Sequence, residues 1–272
     1  MNLAIRRWTV ACWIAVSAAL PGLAGETVLS FSGNGYVTTG HKFTGLASAT
    51  LEAWIRTDTV PGSSNYGSIA GNGYLGNDTG FGLFTHYDGS LVFQTRQGGN
   101  NISALANFPF DGQWHHVAGV RDASAQATIL YIDGEEVHRA TGSLDFSAVS
   151  QIFGIGARFS SSWDFEFTGD IAEVRLWNHA RAADQIQSDM QRRLFGDESG
   201  LIGYWPLTDG AGAVATDAVA EGIAHDGTIN NAVWIADDDL VFSTITLSHL
   251  VTGSLQFTNT NEVDVMKLAM PE

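Results

Sequence analysis

An all-β sandwich or barrel is the fold this sequence predicts, and three observations predict it. Apolar runs of strand length recur along the chain, each bounded by turn residues. Glycine is frequent, 31 of 272 residues, while proline is scarce at 5. Asp88-Gly89 and Asp133-Gly134 stand between such runs, where a two-residue hairpin turn needs residues that tolerate positive φ.

The elements follow in order. Leu29 to Phe31, Ala49 to Ile55, Gly67 to Ala70, Phe81 to His86 and Ser90 to Gln94 read as strands. Alternation is clearest in TLEAWIR, where Leu51, Ala53 and Ile55 face one way and Glu52, Trp54 and Arg56 the other. DGQWHHVAGVRD (Asp111 to Asp122) is a strand, and TILYIDGEEV (Thr128 to Val137) a second one that ends in its Asp-Gly turn. FTGDIAEVRLWNHARAADQI (Phe167 to Ile186) is a strand running into one short helix. Ala182 to Leu194 place Ile186, Met190 and Leu194 at spacing four, with Asp184 early and Arg192-Arg193 late, charges that complement the helix dipole. Gly200 to Ile235 reads as strand, polar loop, strand. Trp54, Trp177, Trp205 and Trp234 lie in strand contexts and are expected in the core.

The first 24 residues have the order of a secretory signal peptide: Arg6-Arg7, an apolar run from Trp8 to Leu20, then the small-residue cleavage site at Gly22-Leu23-Ala24. Cleavage there removes Cys12, the single cysteine, so no disulfide framework is expected in the mature chain. Residues 26–235 form the expected domain. Residues 240–272 continue the strand pattern and read as the opening of another β module, with truncation and a genuine terminus both open as explanations of where it stops.

The formal charge is −16, and the lysines are Lys42 and Lys267. An acidic, lysine-poor surface argues against nucleic acid and anionic membranes, whose binding rests on basic patches. No second apolar run is long enough for a stable membrane span. A secreted or cell-surface location follows from the leader.

At this point the residues resemble a known family. FSGNGYV, LEAWIR, GQWHHVAGV, LYIDGEEV, IGAR and GDIAEVRLWN resemble the laminin-G-like jelly-roll modules of the concanavalin-A-like lectin/glucanase superfamily. FTGDIAEVRLW is also similar to the corresponding strand of pentraxins, and GLIGYWPLTDGAG with HDGTINNAVW resembles the extra strands of bacterial modules of this type. The resemblance covers Glu26 to Ile235. It implies an all-β, two-sheet antiparallel jelly-roll sandwich and a non-catalytic role in binding glycans or proteins outside the cell.

Catalysis has no support in the residues. Laminarinase-type glucanases on this fold carry E-x-D-x-x-E on one strand, placing acid and nucleophile on one face, and no such string occurs here. Glu135 and Glu136 are adjacent, and Asp170 and Glu173 stand three apart, so strict alternation sends each pair to opposite sides. His115 and His116 likewise face opposite sides, with Trp114 sharing the face of His116.

Calcium is the one cofactor the resemblance implies, as a structural ion. The opening motif departs from the family pattern, with Ser32 and Gly35 where acidic residues are usual. The remaining candidate metal ligands are Asn77, Asp78, Asp164 and Glu166, in or beside polar loops. For a sugar ligand the candidates are Trp163, in the serine-rich RFSSSWDFEF loop, with Tyr74, Tyr87 and Asn72; Tyr66 also lies near a loop. Asn77-Asp78-Thr79 and Asn101-Ile102-Ser103 match the glycosylation sequon: in a eukaryotic secretory route they would carry glycans, and in a bacterial one they are only loops. The expected function is a secreted, non-catalytic binding module for an extracellular ligand, carbohydrate first. A protein-binding adhesion module of a larger chain is the second expectation, and a glycoside hydrolase the third.

Overall fold

The computed structural model describes residues 26–260 apart from 64, 74–76, 160–162, 221, 241, 243, 252 and 253; the leader and the end of the tail lie outside the described residues. Among the described residues, twenty strands and one helix follow one another. The first ten strands are β1 (Glu26–Ser32), β2 (Tyr36–Thr38), β3 (Ala49–Arg56), β4 (Tyr66–Asn72), β5 (Thr79–His86), β6 (Ser90–Gln97), β7 (Asn100–Asn107), β8 (Trp114–Asp122), β9 (Ala127–Ile132) and β10 (Glu135–Thr141). Then come β11 (Gly154–Ile155), β12 (Arg158–Phe159), β13 (Trp163–Asp164), β14 (Thr168–Trp177) and the helix α1 (Ala183–Asp189). The chain closes with β15 (Leu201–Trp205), β16 (Val214–Ala215), β17 (Gly227–Asn230), β18 (Val233–Asp237), β19 (Thr244–Val251) and β20 (Ser254–Thr260).

Two antiparallel sheets form a jelly-roll sandwich. Sheet A runs β10-β9-β8-β3-β14-β1-β18, with β15 also paired to β14. Sheet B runs β16-β17-β2-β11-β4-β5-β6-β7. One core fills the space between them. Leu51, Ala53, Ile55, Val117, Leu130, Ile171, Val174 and Leu176 from sheet A meet Val37, Ile69, Phe81, Leu83, Leu91, Phe93 and Ile155 from sheet B. The alternation read from TLEAWIR therefore holds: Leu51, Ala53 and Ile55 point inward. Both Asp-Gly pairs form their hairpin turns, Asp133 with φ 51° and Gly134 with φ 80°.

The outer face of sheet A is covered. Ile186 of α1 packs on Ala118, Val120, Ile129 and Tyr131 of β8 and β9. Trp177, Leu194, Leu201 and Tyr204 form a second cover. Leu240 and Phe242 close the third part against Val28, Ala172, Trp54 and Trp114. The segment that the sequence assigns to the tail thus begins by packing on the sandwich, and β19 and β20 pair with each other.

Several expectations change in detail. The helix spans Ala183–Asp189, shorter than Ala182 to Leu194, and its last turn holds no basic residue. Arg175 explains the early end: its Nη1 and Nη2 donate to the carbonyls of Asp189 and Arg192, taking up chain that would otherwise continue the helix. Asn100–Asn107 is a strand, not a loop, paired along its length with β6. Trp163 and Asp164 also lie in a strand, across from Phe159 and Arg158. Trp177 and Trp205 are buried, whereas Trp54 and Trp234 are half-buried.

The largest correction concerns Asp170 and Glu173. The β14–β3 register shifts between Ala172 and Arg175, and Glu173 has φ 53°. This bulge adds a residue, so Ile171 and Val174 both reach the core although three apart. Both carboxylates then fall on the outer face, where Asp170 pairs with Arg56 at 2.8 Å and Glu173 with Arg175 at 2.8 Å.

Candidate functional site

Much of the outer face of sheet A is covered, and the outer face of sheet B is one surface that a ligand can approach. Its floor is set by alternation. Phe84 and Val92 point away from the core and pack with Tyr66, while Leu83 and Phe93 beside them point inward. One row further, Gln94 and Ser103 are cross-strand partners, and Gln94 Nε2 donates to Ser103 Oγ at 2.7 Å. Gln94 is buried and its Oε1 has no hydrogen-bond partner.

An aromatic cluster stands at the end of this face, where β4 begins and β5 ends. Tyr66 and His86 face each other across the two strands, with ring centroids 5.0 Å apart. Phe84 meets Tyr66 edge-on at 5.3 Å, and Phe165 meets it at 5.0 Å and 90°. Tyr87 continues the cluster, 4.1 Å from His86, and is 45% exposed. His86 Nδ1 lies 2.7 Å from Asp88 Oδ1, which also accepts from the Ser90 hydroxyl at 2.6 Å. The Ser90 hydroxyl bond, then His86, hold the Asp88 carboxyl down at about 2.

A charged group adjoins the rings. Arg158 lies over the Phe165 ring, 4.8 Å from its centroid. Its Nε and Nη2 donate to the two Asp164 oxygens at 2.9 and 2.7 Å, a two-pronged bond between cross-strand partners. Its Nη1 is 3.5 Å from Asp78 Oδ2, while Asp78 Oδ1 accepts from Gln151 Nε2 at 3.0 Å and Ser150 Oγ at 3.4 Å.

These contacts decide how the residues suit a calcium ion. Calcium takes six to eight oxygen ligands at about 2.3–2.6 Å. A guanidinium occupies both Asp164 oxygens and stands 3.5 Å from the buried Asp78 Oδ2, which has no hydrogen bond, so the positive charge between these carboxylates is already supplied and the set does not fit a calcium ion. Asn77 is exposed, and Glu166 is half-buried, opposite Ser68 in an isolated bridge.

The sugar-ligand candidates separate. Tyr87 joins the aromatic cluster. Asn72 is 1% exposed at the end of β4, where its Oδ1 accepts from the Phe81 amide at 3.4 Å, so it offers nothing to the surface. Tyr74 and the Trp163 side chain lie outside the described residues. His86, Phe165 and Arg158 were not singled out by sequence reasoning. The signal for the first was available, since alternation from Leu83 sends Phe84 and His86 outward together.

The histidine pair behaves as alternation predicts. His116 is buried beside Trp54 and 3.4 Å from Glu52, whereas His115 bonds Asp133 at 2.7 Å near Phe108. Carboxylates suited to glycoside cleavage do not appear on sheet B: none of its eight strands contains Asp or Glu.

Comparison with known proteins agrees with this architecture. Residues 31–187 match a laminin-G family model of the concanavalin A-like lectin/glucanases superfamily, and the chain belongs to that family. A Bacteroides ovatus protein with a proposed carbohydrate-binding role is 25% identical with a TM-score of 0.60, covering 79% of this chain. The match spans 61% of that protein's own length. The CBM40 module of a Ruminococcus gnavus IT-sialidase is 17% identical with a TM-score of 0.50, over 60% of this chain and 95% of the module. A heptameric SAP-like pentraxin from Limulus polyphemus is 15% identical with a TM-score of 0.47, over 60% of this chain and 81% of its own. None of the curated proteins matches the chain.

Proposed function

We propose that the protein is a non-catalytic, extracytoplasmic module that binds carbohydrate at the rim of sheet B. The observation that carries this reading is the cluster of Tyr66, His86, Tyr87 and Phe165, partly exposed and contiguous with polar side chains. Sugar rings present apolar C–H faces that pack on aromatic rings, and their hydroxyls need nearby amide and carboxylate partners. Asp88 beside His86 and Glu166 beside Phe165 supply such groups. The likeness to the Bacteroides ovatus protein supports the reading.

Catalysis is disfavoured by charge placement. Retaining glycosidases set two carboxyl groups about 5–5.5 Å apart, one as acid and one as nucleophile. On this face Asp164 and Asp78 face Arg158, and Asp88 is bonded to His86 and Ser90, so three of the four carboxylates near the cluster are already engaged. Affinity electrophoresis through gels containing β-glucan, xylan, mannan or pectin tests the proposal. Retardation in at least one polysaccharide, reduced by Tyr87→Ala, is the expected outcome; free migration in all of them rejects it.

A protein partner is the second reading. It is favoured by Leu105 and Val137, 47% and 41% exposed on the neighbouring edge strands β7 and β10. Edge strands with apolar side chains offer a template for strand addition.

A further inference from the structure

We infer that Arg158 is a built-in cation beside sheet B, a positioning residue that makes the junction of Asp78, Asp164 and Phe165 independent of divalent metal. The inference rests on geometry and stands apart from the glycan reading. Two carboxylates converge there from different parts of the chain: Asp78 immediately before β5, and Asp164 in β13. Left without a counter-charge, such a pair repels and resists partial burial. Arg158 reaches both, at 2.7 Å to Asp164 and 3.5 Å to Asp78, and its own side chain is 9% exposed.

The consequence is mechanical as well as electrostatic. Arg158 lies in β12 and Asp164 in β13, so their bond closes the small two-stranded ladder from its side chains. Phe165 follows directly, held under the guanidinium, and its carbonyl accepts from the Ser68 amide of β4 at 2.7 Å. Through Phe165 the arginine fixes one wall of the aromatic cluster. A planar, always-charged fork suits this task, because it grips one carboxylate with two bonds while facing a second and covering a ring.

Thermal unfolding of the full chain tests the inference. Wild type is compared in CaCl2 and in EGTA, beside the variants R158Q and R158Q/D78N/D164N. The expected result is one wild-type midpoint in both buffers, a lowered midpoint for R158Q, and recovery of part of that loss in the triple variant. Recovery identifies unbalanced charge, rather than lost packing, as the fault in R158Q. A wild-type midpoint that rises in CaCl2 and falls in EGTA overturns the inference. So does R158Q unfolding with wild type, or a triple variant no more stable than R158Q. If R158Q fails to fold, the triple variant decides alone: folding supports the inference and failure to fold rejects it.

Discussion

Arg181 and Glu52 lie 129 residues apart in sequence and meet at 2.8 Å, both buried on the outer face of sheet A. Arg181 also pairs with Asp189 at the end of α1, while Arg175 pairs with Glu173, whose carboxylate accepts from the Tyr204 hydroxyl at 2.9 Å. The helix and its flanking chain are therefore fastened to the sheet by charges as well as by Ile186. Glu52→Gln keeps the shape and removes the buried charge that faces Arg181, Arg175 and His116, leaving Arg181 to Asp189. Breaking such a pair from one side costs about 3–5 kcal/mol. Urea denaturation should show a loss of that order, and a loss below about 1 kcal/mol would contradict the assigned role.

The same residue predicts an acid limb. Burial raises the Glu52 carboxyl, but His116, Arg181 and Arg175 together overturn that effect and bring it to about 2, from an ordinary 4.5. A carboxyl depressed on folding stabilises the fold above its unfolded value, so the contribution is complete above 4.5 and disappears as pH falls through about 2. Its size is on the order of 3 kcal/mol. The stability gap between wild type and Glu52→Gln should close across this window. A gap that stays constant with pH rejects the linkage.

His41 and His225 give a second pH response, nearer neutrality. Their rings are 4.0 Å apart and both meet Phe43 edge-on, joining the loop after β2 to the chain entering β17. Burial, then repulsion from His225, hold His41 below its ordinary 6.5. A histidine depressed on folding stabilises above the unfolded value and loses that contribution as pH falls through the lower, folded one. Asp217 faces His225 at 3.5 Å. His225→Gln should flatten the fall in melting temperature below pH 6.5; an unchanged pH profile would show the stack to be passive.

A backbone prediction comes from Gly196, at φ 87°, where an added Cβ would sit 1.9 Å from the Ala218 carbonyl oxygen. The Ala220 amide donates back to the Gly196 carbonyl at 2.8 Å, so the two segments are pressed together. Gly196→Ala must either adopt a strained conformation or separate them, at a cost of about 1–3 kcal/mol. Wild-type stability in this variant, measured by denaturant, would show that the segments part easily.

Much of the fold is legible because strand period and turn chemistry are local properties. β3 and both Asp-Gly hairpins declare themselves within ten residues of sequence. β7 does not, since in Asn100–Asn107 the large apolar residues Ile102 and Leu105 stand three apart, off the strand period, and the segment takes its conformation from pairing with β6. Neither does the bulge at Glu173, which depends on where β3 and β15 grip β14. It is also why a rule of strict alternation misplaces Asp170 relative to Glu173. The candidate site divides the same way. Tyr87 is visible as an aromatic next to a turn, but Arg158 gains its meaning only when folding brings Asp78 to it.

Tyr87 and Tyr66 separate binding from stability within one cluster. Tyr87 is exposed, so Tyr87→Ala should change folding stability by no more than about 0.5 kcal/mol. The ring it removes is the outermost face of the cluster, and an aromatic stacking contact is worth about 0.5–1.5 kcal/mol, roughly a 2- to 10-fold loss of affinity. Tyr87→Phe keeps that face and should bind as wild type does. Tyr66 differs because it touches Phe84, His86 and Phe165 together. Tyr66→Ala should therefore lower both affinity and melting temperature, since the remaining rings lose the partner that orders them. Calorimetric titration with the retarding polysaccharide, paired with melting curves, measures both. If Tyr87→Ala and Tyr66→Ala bind as tightly as wild type, the ligand does not use this end of sheet B and the exposed edge formed by Leu105 and Val137 becomes the surface to test.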